Sequence, residues 1–498
     1  MMKKYIYLAF LMLGMSACEL VDVLDQKPAF EADLDGAITT PDAVELALNG
    51  VYSYLPGDGF NVIFPTTGGP FKAGTMRRQE FTGDVGNTIY YTERYYPTLS
   101  YSDGAEWNSD YAIIKNANYL ESAVEGIDAG AFSGNRKEEV LGEIYYLRAF
   151  AYFRLLVRYG EFWNEESPYG VIIRDEFPTV ENAKKPRATV GASYEEILRQ
   201  LEVAIQKAPD WSKSSQASKE AARALKAKAL FYAGRYEEAL TAIDDAVDTN
   251  QPLPEPVYGD IFDKFSVSKE ILFARYYDEN DANNTSTRET AYGNSVSKNQ
   301  GYWGPSTPYV NLVGDDPRAA AIFSKVDSLE FRGTVAYNLK SIKKLLNSAN
   351  NMPIIFSRVA ELYLMKAEAL FRTNASISAA YAPIQKIRER AGAEIKVPQT
   401  REELEEAIFN EWMIEMSFEN WHEWFVQIRF AGVNVEHPNF EKYLFVLNEQ
   451  LKKKYDEEHE ASDAQGEAYY KRIIDRRIEA IPSSERNSNE LAEQNPGY

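Results

Sequence analysis

Six stretches of this chain repeat apolar residues at helical spacing, and a chain patterned this way buries its apolar stripes by laying helix on helix. "EEVLGEIYYLRAFAYFRLLVRYG" (138–160) is apolar over most of its circumference, interrupted by Arg148, Arg154 and Arg158, and predicts a largely buried central helix. Gly160 is expected to end it in the left-handed conformation that glycine tolerates. "SYEEILRQLEVAIQKAP" (193–209) offers Ser193 as N-cap with Glu196 completing a capping box, and stops before Pro209. "FSRVAELYLMKAEALFRT" (356–373) carries one stripe through Val359, Leu362, Tyr363, Ala367 and Leu370. Its partner is "ISAAYAPIQKIRERAG" (377–392), interrupted by Pro383 and closed by Gly392. "REELEEAIFNEWMIEMSFENWHEWFVQIRFAG" (401–432) reads as one further helical run stopping at Gly432. The expectation is an all-α fold. Two long segments without clear period, 56–105 and 275–317, lie between these helices, and loops of such length usually carry function.

The remaining stretch, "SKEAARALKAKALFYAGRYEEALTAIDDAV" (218–247), sets alanines where two helices would cross, with Gly234 ending the first and Tyr236 opening the second. It resembles one tetratricopeptide unit, and is equally compatible with a generic helical hairpin.

The first residues narrow the compartment. Lys3 and Lys4 precede an apolar run from Tyr5 to Leu13, then small residues lead to Cys18, the sole cysteine of 498 residues. That is a secretory signal layout over residues 1–17, too short to span a bilayer. Ser16 and Ala17 before Cys18 resemble a bacterial lipobox, with Met15 where leucine is usual. Cys18 would then be acylated and become the mature N-terminus, attached without a transmembrane helix. Glu19 and Asp22 resemble a surface-export signal. The alternative is an ordinary secreted protein with an incidental thiol, a chemical liability outside the cell.

Charge and motif spacing exclude several kinds of chemistry. A net charge of −21 repels a phosphate backbone, so no nucleic acid is expected. His422, His437 and His459 are not at metal-ligand spacing, no serine sits in a G-x-S-x-G turn, and no glycine-rich phosphate loop occurs. No catalytic residue, metal or cofactor is expected. Glu411, Glu415, Glu419 and Glu423 fall four apart, in one row of a helix, where like charges repel unless cations face them. Salt bridges to Arg388, Arg390 or neighbouring helices are expected; a cation or sugar site is the alternative.

Aromatic residues give the better lead. Sugar rings present C–H faces that stack on aromatic rings, with hydroxyls bonded by polar neighbours. "TIYYTERYYP" (88–97) offers Tyr90, Tyr91, Tyr95 and Tyr96, and "NQGYWGPSTPY" (299–309) offers Tyr302 and Trp303 among glycine and proline. These six are the candidate ligand-binding residues, Trp303 foremost; the alternative for any one ring is a core plug beneath a loop. Trp107, Trp412, Trp421 and Trp424 sit in helical pattern and read as packing.

Further stretches, taken in order, carry a family resemblance: "LDGAITTPDAVELALNGVYSYL" (34–55), "WNSDYAIIKNANYL" (107–120), "VLGEIYYLRAFAYFRLLVRYG" (140–160), "RVAELYLMKAEAL" (358–370), "IQKIRERAG" (384–392) and the terminal "IPSSERNSNELAEQNPGY" (481–498). With them the chain resembles the SusD/RagB family across nearly all of 18–498, as a single domain with an N-terminal part (18–235) and a C-terminal part (270–498). The resemblance implies about four tetratricopeptide-like helix pairs with long irregular loops as the ligand face, and no enzyme. It also implies a lipid-anchored outer-membrane protein acting as lid of a SusC-like TonB-dependent transporter and delivering glycans, or in some members peptides. Cys18 would anchor the hinge side. A tetratricopeptide-type adaptor that contacts only proteins is the reading of another class. Where family members commonly carry arginine and aspartate, this chain has Glu423 and Val426, so the ion pair there is rewired.

Overall fold

The computed structural model describes residues 38–55, 76–79, 104–265, 267–275, 302–305, 307–331, 334–344, 354–420, 422–432, 439–444 and 477–498. Cys18 and the signal segment, Tyr90, Tyr91, Tyr95 and Tyr96, and Trp421, His437 and His459 lie outside the described residues.

The chain is mostly helical. Helix α1 (Pro41–Ser53) starts where the Thr40 hydroxyl accepts from the Ala43 amide and proline occupies the first turn. After strand β1 (Met76–Gln79) come α2 (Ala105–Gly126) and α3 (Arg136–Tyr159), which lie antiparallel. The arginines that interrupt the apolar pattern of α3 each meet an acid of α2: Arg158 with Glu106 at 3.1 Å, Arg154 with Asp110 at 3.0 Å, Arg148 with Glu121 at 2.5 Å. Burial raises the Asp110 carboxyl to about 6, with Arg154 opposing. The helix ends at Gly160, but in an extended conformation, not a left-handed one. Glycine is needed there for closeness: a Cβ would lie 2.8 Å from the carbonyl oxygens of Leu156 and Tyr169.

Helix α4 (Val190–Lys207) begins a turn before the expected Ser193. Thr189 is the N-cap, accepting from the Ala192 amide, whereas the buried Ser193 hydroxyl donates to the Thr189 carbonyl and accepts from the Val171 amide. The local signal was sound, but tertiary contact recruited the serine. Helices α5 (Lys219–Tyr232) and α6 (Tyr236–Ala246) form the expected hairpin. There follow α7 (Asp260–Asp263), β2 (Ile271–Arg275), β3 (Tyr302–Pro305), α8 (Thr307–Val313), α9 (Ala319–Ile322), β4 (Phe323–Phe331), β5 (Thr334–Ile342) and β6 (Ile354–Arg358). Phe356 to Arg358, read as the start of a helix, belong to β6, and α10 begins only at Val359 (Val359–Arg372). Helix α11 (Ile377–Ala391) runs through Pro383 without a break, its proline buried against neighbours that hold the helix despite one missing amide. The run 401–432 divides into α12 (Arg401–Met416) and α13 (His422–Ala431), followed by α14 (Asn439–Leu444) and α15 (Ser483–Ser488).

Among the described residues, α2/α3, α5/α6, α10/α11 and α12/α13 make four helix pairs, with α4 between α3 and α5 and α6 against α10. This is the tetratricopeptide-like architecture expected. One contiguous apolar cluster runs from Val44 to Ala492. Within it β2 pairs antiparallel with β6, setting Phe273 and Phe356 against Phe150 of α3. The C-terminal segment clamps the end of α3: Asn495 Nδ2 donates to the Tyr159 and Glu479 carbonyls, and Gln494 bonds both the amide and the carbonyl of Ile481. Trp107, Trp412 and Trp424 are buried, as their helical pattern implies. No helix among the described residues is long and apolar enough to cross a membrane.

A close approach of α3 to the end of α4 sets a test. A Cβ on Gly142 of α3 would lie 2.0 Å from the Ala208 backbone nitrogen at the end of α4, and no flexible side chain is there to yield. Gly142→Ala should therefore cost about 3 kcal/mol, the upper range for overpacking, read as a lower urea midpoint at unchanged m-value.

Candidate functional site

The two long aperiodic segments are not independent. Each supplies a strand to one antiparallel ladder, β1 from the first and β3 from the second, with Met76 opposite Pro305, Arg77 opposite Gly304, Arg78 opposite Trp303 and Gln79 opposite Tyr302. Tyr302 and Trp303, expected on a loop, thus stand on a paired strand. β3 also runs along β5, which forms a hairpin with β4 from Phe323 opposite Ile342 to Phe331 opposite Thr334. Tyr90, Tyr91, Tyr95 and Tyr96 fall outside the described residues of the first segment.

The hairpin is bolted to the helices at both of its ends by buried cations. Before it, Arg318 reaches Glu411 at 2.6 Å and Glu415 at 2.8 Å, and is held bidentate by Asp316. After it, Lys344 donates to the carbonyls of Glu415 and Ser417 and meets Glu419 at 2.7 Å. Arg358, at the end of β6, grips Glu419 bidentate and adds Glu415 at 2.7 Å and Glu270 at 3.1 Å. Arg390 joins Glu270 and Glu415, and Arg388 closes on Glu411 at 2.8 Å. Five cations (Arg318, Lys344, Arg358, Arg388, Arg390) thus face five anions (Glu270, Asp316, Glu411, Glu415, Glu419), and the network is internally neutral.

The expected salt bridges from Arg388 and Arg390 to the glutamate row are therefore present, joined by Arg318, Arg358 and Lys344, which the row alone did not reveal. One part of the expectation is corrected. The helix stops at Met416, so Glu419 lies in a turn, and Glu423, on the next helix, instead accepts from the Phe418 amide that closes that turn. Phe418 (φ 69°) and Asn420 (φ 47°) adopt left-handed backbone there, a conformation that asparagine tolerates but that is unfavourable for phenylalanine and is held by the bonds around it. Tyr309 of α8 stacks edge-on against Phe418 at 5.2 Å, so the strained turn seats the chain that follows β3.

Burial and charge divide the carboxyls. Burial works to raise Glu415, but Arg390, Arg358 and Arg318 outweigh it and hold the group well below the usual carboxylate range. Glu270 is raised, because its burial and the nearby Glu415 outweigh two arginines. Burial brings Lys344 down to about 8, with Glu419 opposing.

A crevice between α3, α5 and α13, lined by Phe153, Arg154, Arg158, Lys228, Asn420 and Phe425, has a cavity volume of about 30 Å³. That is water-sized, and its cations already meet Asp110, Glu106, Glu479 and Glu361, so it offers a sugar neither room nor free charge. His422 is buried beside Trp412, 3.6 Å from Glu361, and burial keeps it neutral.

Two family models match the chain: one described as "SusD family" over residues 330–498, and one described as "Starch-binding associating with outer membrane" over residues 73–232. The chain belongs to the SusD family. A SusD-like protein of Bacteroides ovatus is 23% identical over 368 residues, which cover 64% of this chain and 65% of that relative's length. A solved SusD-superfamily structure from Bacteroides thetaiotaomicron superposes with a TM-score of 0.68 at 19% identity, covering 92% of this chain and 100% of that one. A structure described as a laminarin-binding SusD-like protein superposes at 0.65 with 18% identity, covering 92% and 100%. At such identities the structures establish the SusD fold. In this SusD-family chain the glutamate row and its arginines are what fasten the strand-bearing insertion to the helical frame.

Removal of one central charge tests this. Glu415→Gln leaves Arg318, Arg358 and Arg390 under-compensated in a buried site and should cost about 3–5 kcal/mol at pH 7. Because the folded-state pKa of Glu415 is depressed, its contribution is complete above the unfolded value of 4.5 and fades as pH falls below it. Urea midpoints of wild type and variant should therefore converge on acidification.

Proposed function

We propose that this chain is a non-catalytic, cell-surface lipoprotein that captures oligo- or polysaccharide and serves as lid to a SusC-like TonB-dependent transporter in the outer membrane. The observation that carries the reading is the β1–β3 ladder. It brings the two aromatic-rich segments together and sets Trp303 and Tyr302 on a strand beside residues, Arg78 and Gln79, of the types that hydrogen-bond sugar hydroxyls. The charge network below fixes that strand region, so binding need not order a loose surface. The laminarin-binding relative and the starch-binding description of one matching family model support a glycan cargo. Tyr90, Tyr91, Tyr95 and Tyr96 belong to the same reading as additional stacking rings, and Cys18 as the acylated anchor.

Trp303→Ala should weaken retention in affinity gels of the cognate polysaccharide about tenfold, the scale of one stacked ring, without lowering the melting temperature. Unchanged retention, or calorimetric binding of oligopeptides and of no glycan, would sink the proposal in favour of peptide capture. Replacement of Cys18 by alanine should move the protein from the membrane fraction to the soluble fraction and abolish metabolic labelling with palmitate.

A further inference from the structure

The two aperiodic segments share an origin as well as a ladder. The first begins just past α1, after Leu55, and ends where α2 begins; the second begins at Arg275, the last residue of β2. Helix α1 closes with the amides of Tyr54 and Leu55 on the carbonyls of Val51 and Tyr52, so the carbonyls of Ser53, Tyr54 and Leu55 have no partner in their own helix. The last turn of α1 carries no cation to meet the negative end of the helix dipole. Arg275 supplies one from 222 residues away: its Nη1 donates to the Ser53 carbonyl at 3.2 Å and also to the Leu55 carbonyl. Between them the Tyr54 carbonyl accepts from the Ser109 hydroxyl, near the start of α2, at 2.5 Å. The backbone of Arg275 is itself placed by pairing with Ile354 of β6. The exit of the first segment, its return and the exit of the second are thus joined at residues 53–55.

We propose that Arg275 is a positioning residue for the β1–β3 ladder: it holds the starting points of both segments together so that the two strands meet in register, and cargo binding depends on it through the ladder. The consequence for binding rests on the glycan-capture reading above; the effect on the ladder does not. Strands β1 and β3 are four residues each, and their pairing closes a loop through residues 56–75 on one side and 276–301 on the other. Closing a loop carries an entropy cost that falls when the two starting points are already held at one place. Among the described residues β1 pairs with no strand but β3, so it has few bonds of its own to resist separation. The β4–β5 hairpin stands differently, tied to α12 and the turn after it by Arg318 and Lys344. A guanidinium suits the task at α1: it stays charged at every working pH, and one of its NH2 groups carries two hydrogens, one for each carbonyl.

Hydrogen exchange of the full chain, followed by mass spectrometry, tests this for wild type, Arg275→Met and Arg275→Lys, beside melting temperatures and affinity electrophoresis in laminarin gels. Arg275→Met keeps the apolar stem and loses the donors. In it, peptides covering 76–79 and 302–305 should exchange about tenfold faster, the scale of losing one charge-assisted hydrogen bond. Peptides covering β4, β5 and the helices after α1 should keep their wild-type rates, and the melting temperature should hold. Arg275→Lys retains a cation with several donors and should restore most of the protection. Retention by laminarin should fall with the ladder's protection and return with the lysine. Unchanged exchange at β1 and β3 in the methionine variant would overturn the proposal, as would acceleration spread over the whole chain with a lower melting temperature, which marks a general role in folding. Faster ladder exchange with undiminished retention would overturn the link to binding. A wild type that laminarin does not retain weighs against the glycan reading and not against Arg275, whose role the exchange rates decide without any ligand.

Discussion

Glu415 is the point on which the arrangement of this molecule turns. Its carboxylate meets Arg318, Arg358 and Arg390, and its carbonyl meets Lys344 and Arg358, so groups from α11, α12, β6 and both flanks of the β4–β5 hairpin converge on one residue. Apolar packing could bury the same surfaces but would tolerate sliding, because it has no direction. Charge-assisted hydrogen bonds to a planar guanidinium do not tolerate it. Buried ion networks are often no better for stability than apolar residues of equal volume, so the value of this one is geometric: it admits one position for the hairpin. Neutrality makes that affordable, since each buried charge has its counter-charge at hand.

The strained turn after α12 follows from the same demand. For Glu419 to reach both Arg358 and Lys344 the helix must stop, and the chain passes through left-handed backbone at Phe418 and Asn420 before α13 begins. The Glu423 carboxylate and the Lys344 ammonium then satisfy the Phe418 amide and the Ser417 carbonyl that the break exposes. Glu423 thus closes a turn, and the neighbouring Val426 is simply core.

The helices were legible because their signal is periodic and local. The stripe of α10, the α5/α6 hairpin and the Gly392 stop of α11 could each be read from a short window. What escaped depended on distant partners. Ser193 has every mark of an N-cap, yet the segment around Val171 claims its hydroxyl. The break at Ser417 lies inside an unbroken helical pattern, because the reason to stop is an arginine about sixty residues away. Strands β1 and β3 are four residues each and pair across more than two hundred residues, so neither has a period to detect. The one available hint was "MRRQ", two consecutive arginines in a strongly acidic chain, which composition alone could not connect to "YWGP". Of the candidate site, the residue types and the segments were visible in sequence, while their juxtaposition was not.

The division between frame and face has a physical rationale. A receptor for polymeric cargo binds through a few stacked rings and hydrogen bonds of modest worth, and any entropy spent ordering its own surface is subtracted from that small gain. Side chains carried on paired strands are positioned better than the same side chains on free loops. In the proposed role, pairing two otherwise aperiodic segments with each other, then running one of them along a hairpin fixed at its base, spends that entropy at folding instead of at capture. The arginines of this chain divide accordingly. Those at 318, 358 and 390 are consumed by glutamates in the interior and fix position, and those at 77 and 78 stand at the register positions of the aromatic strand.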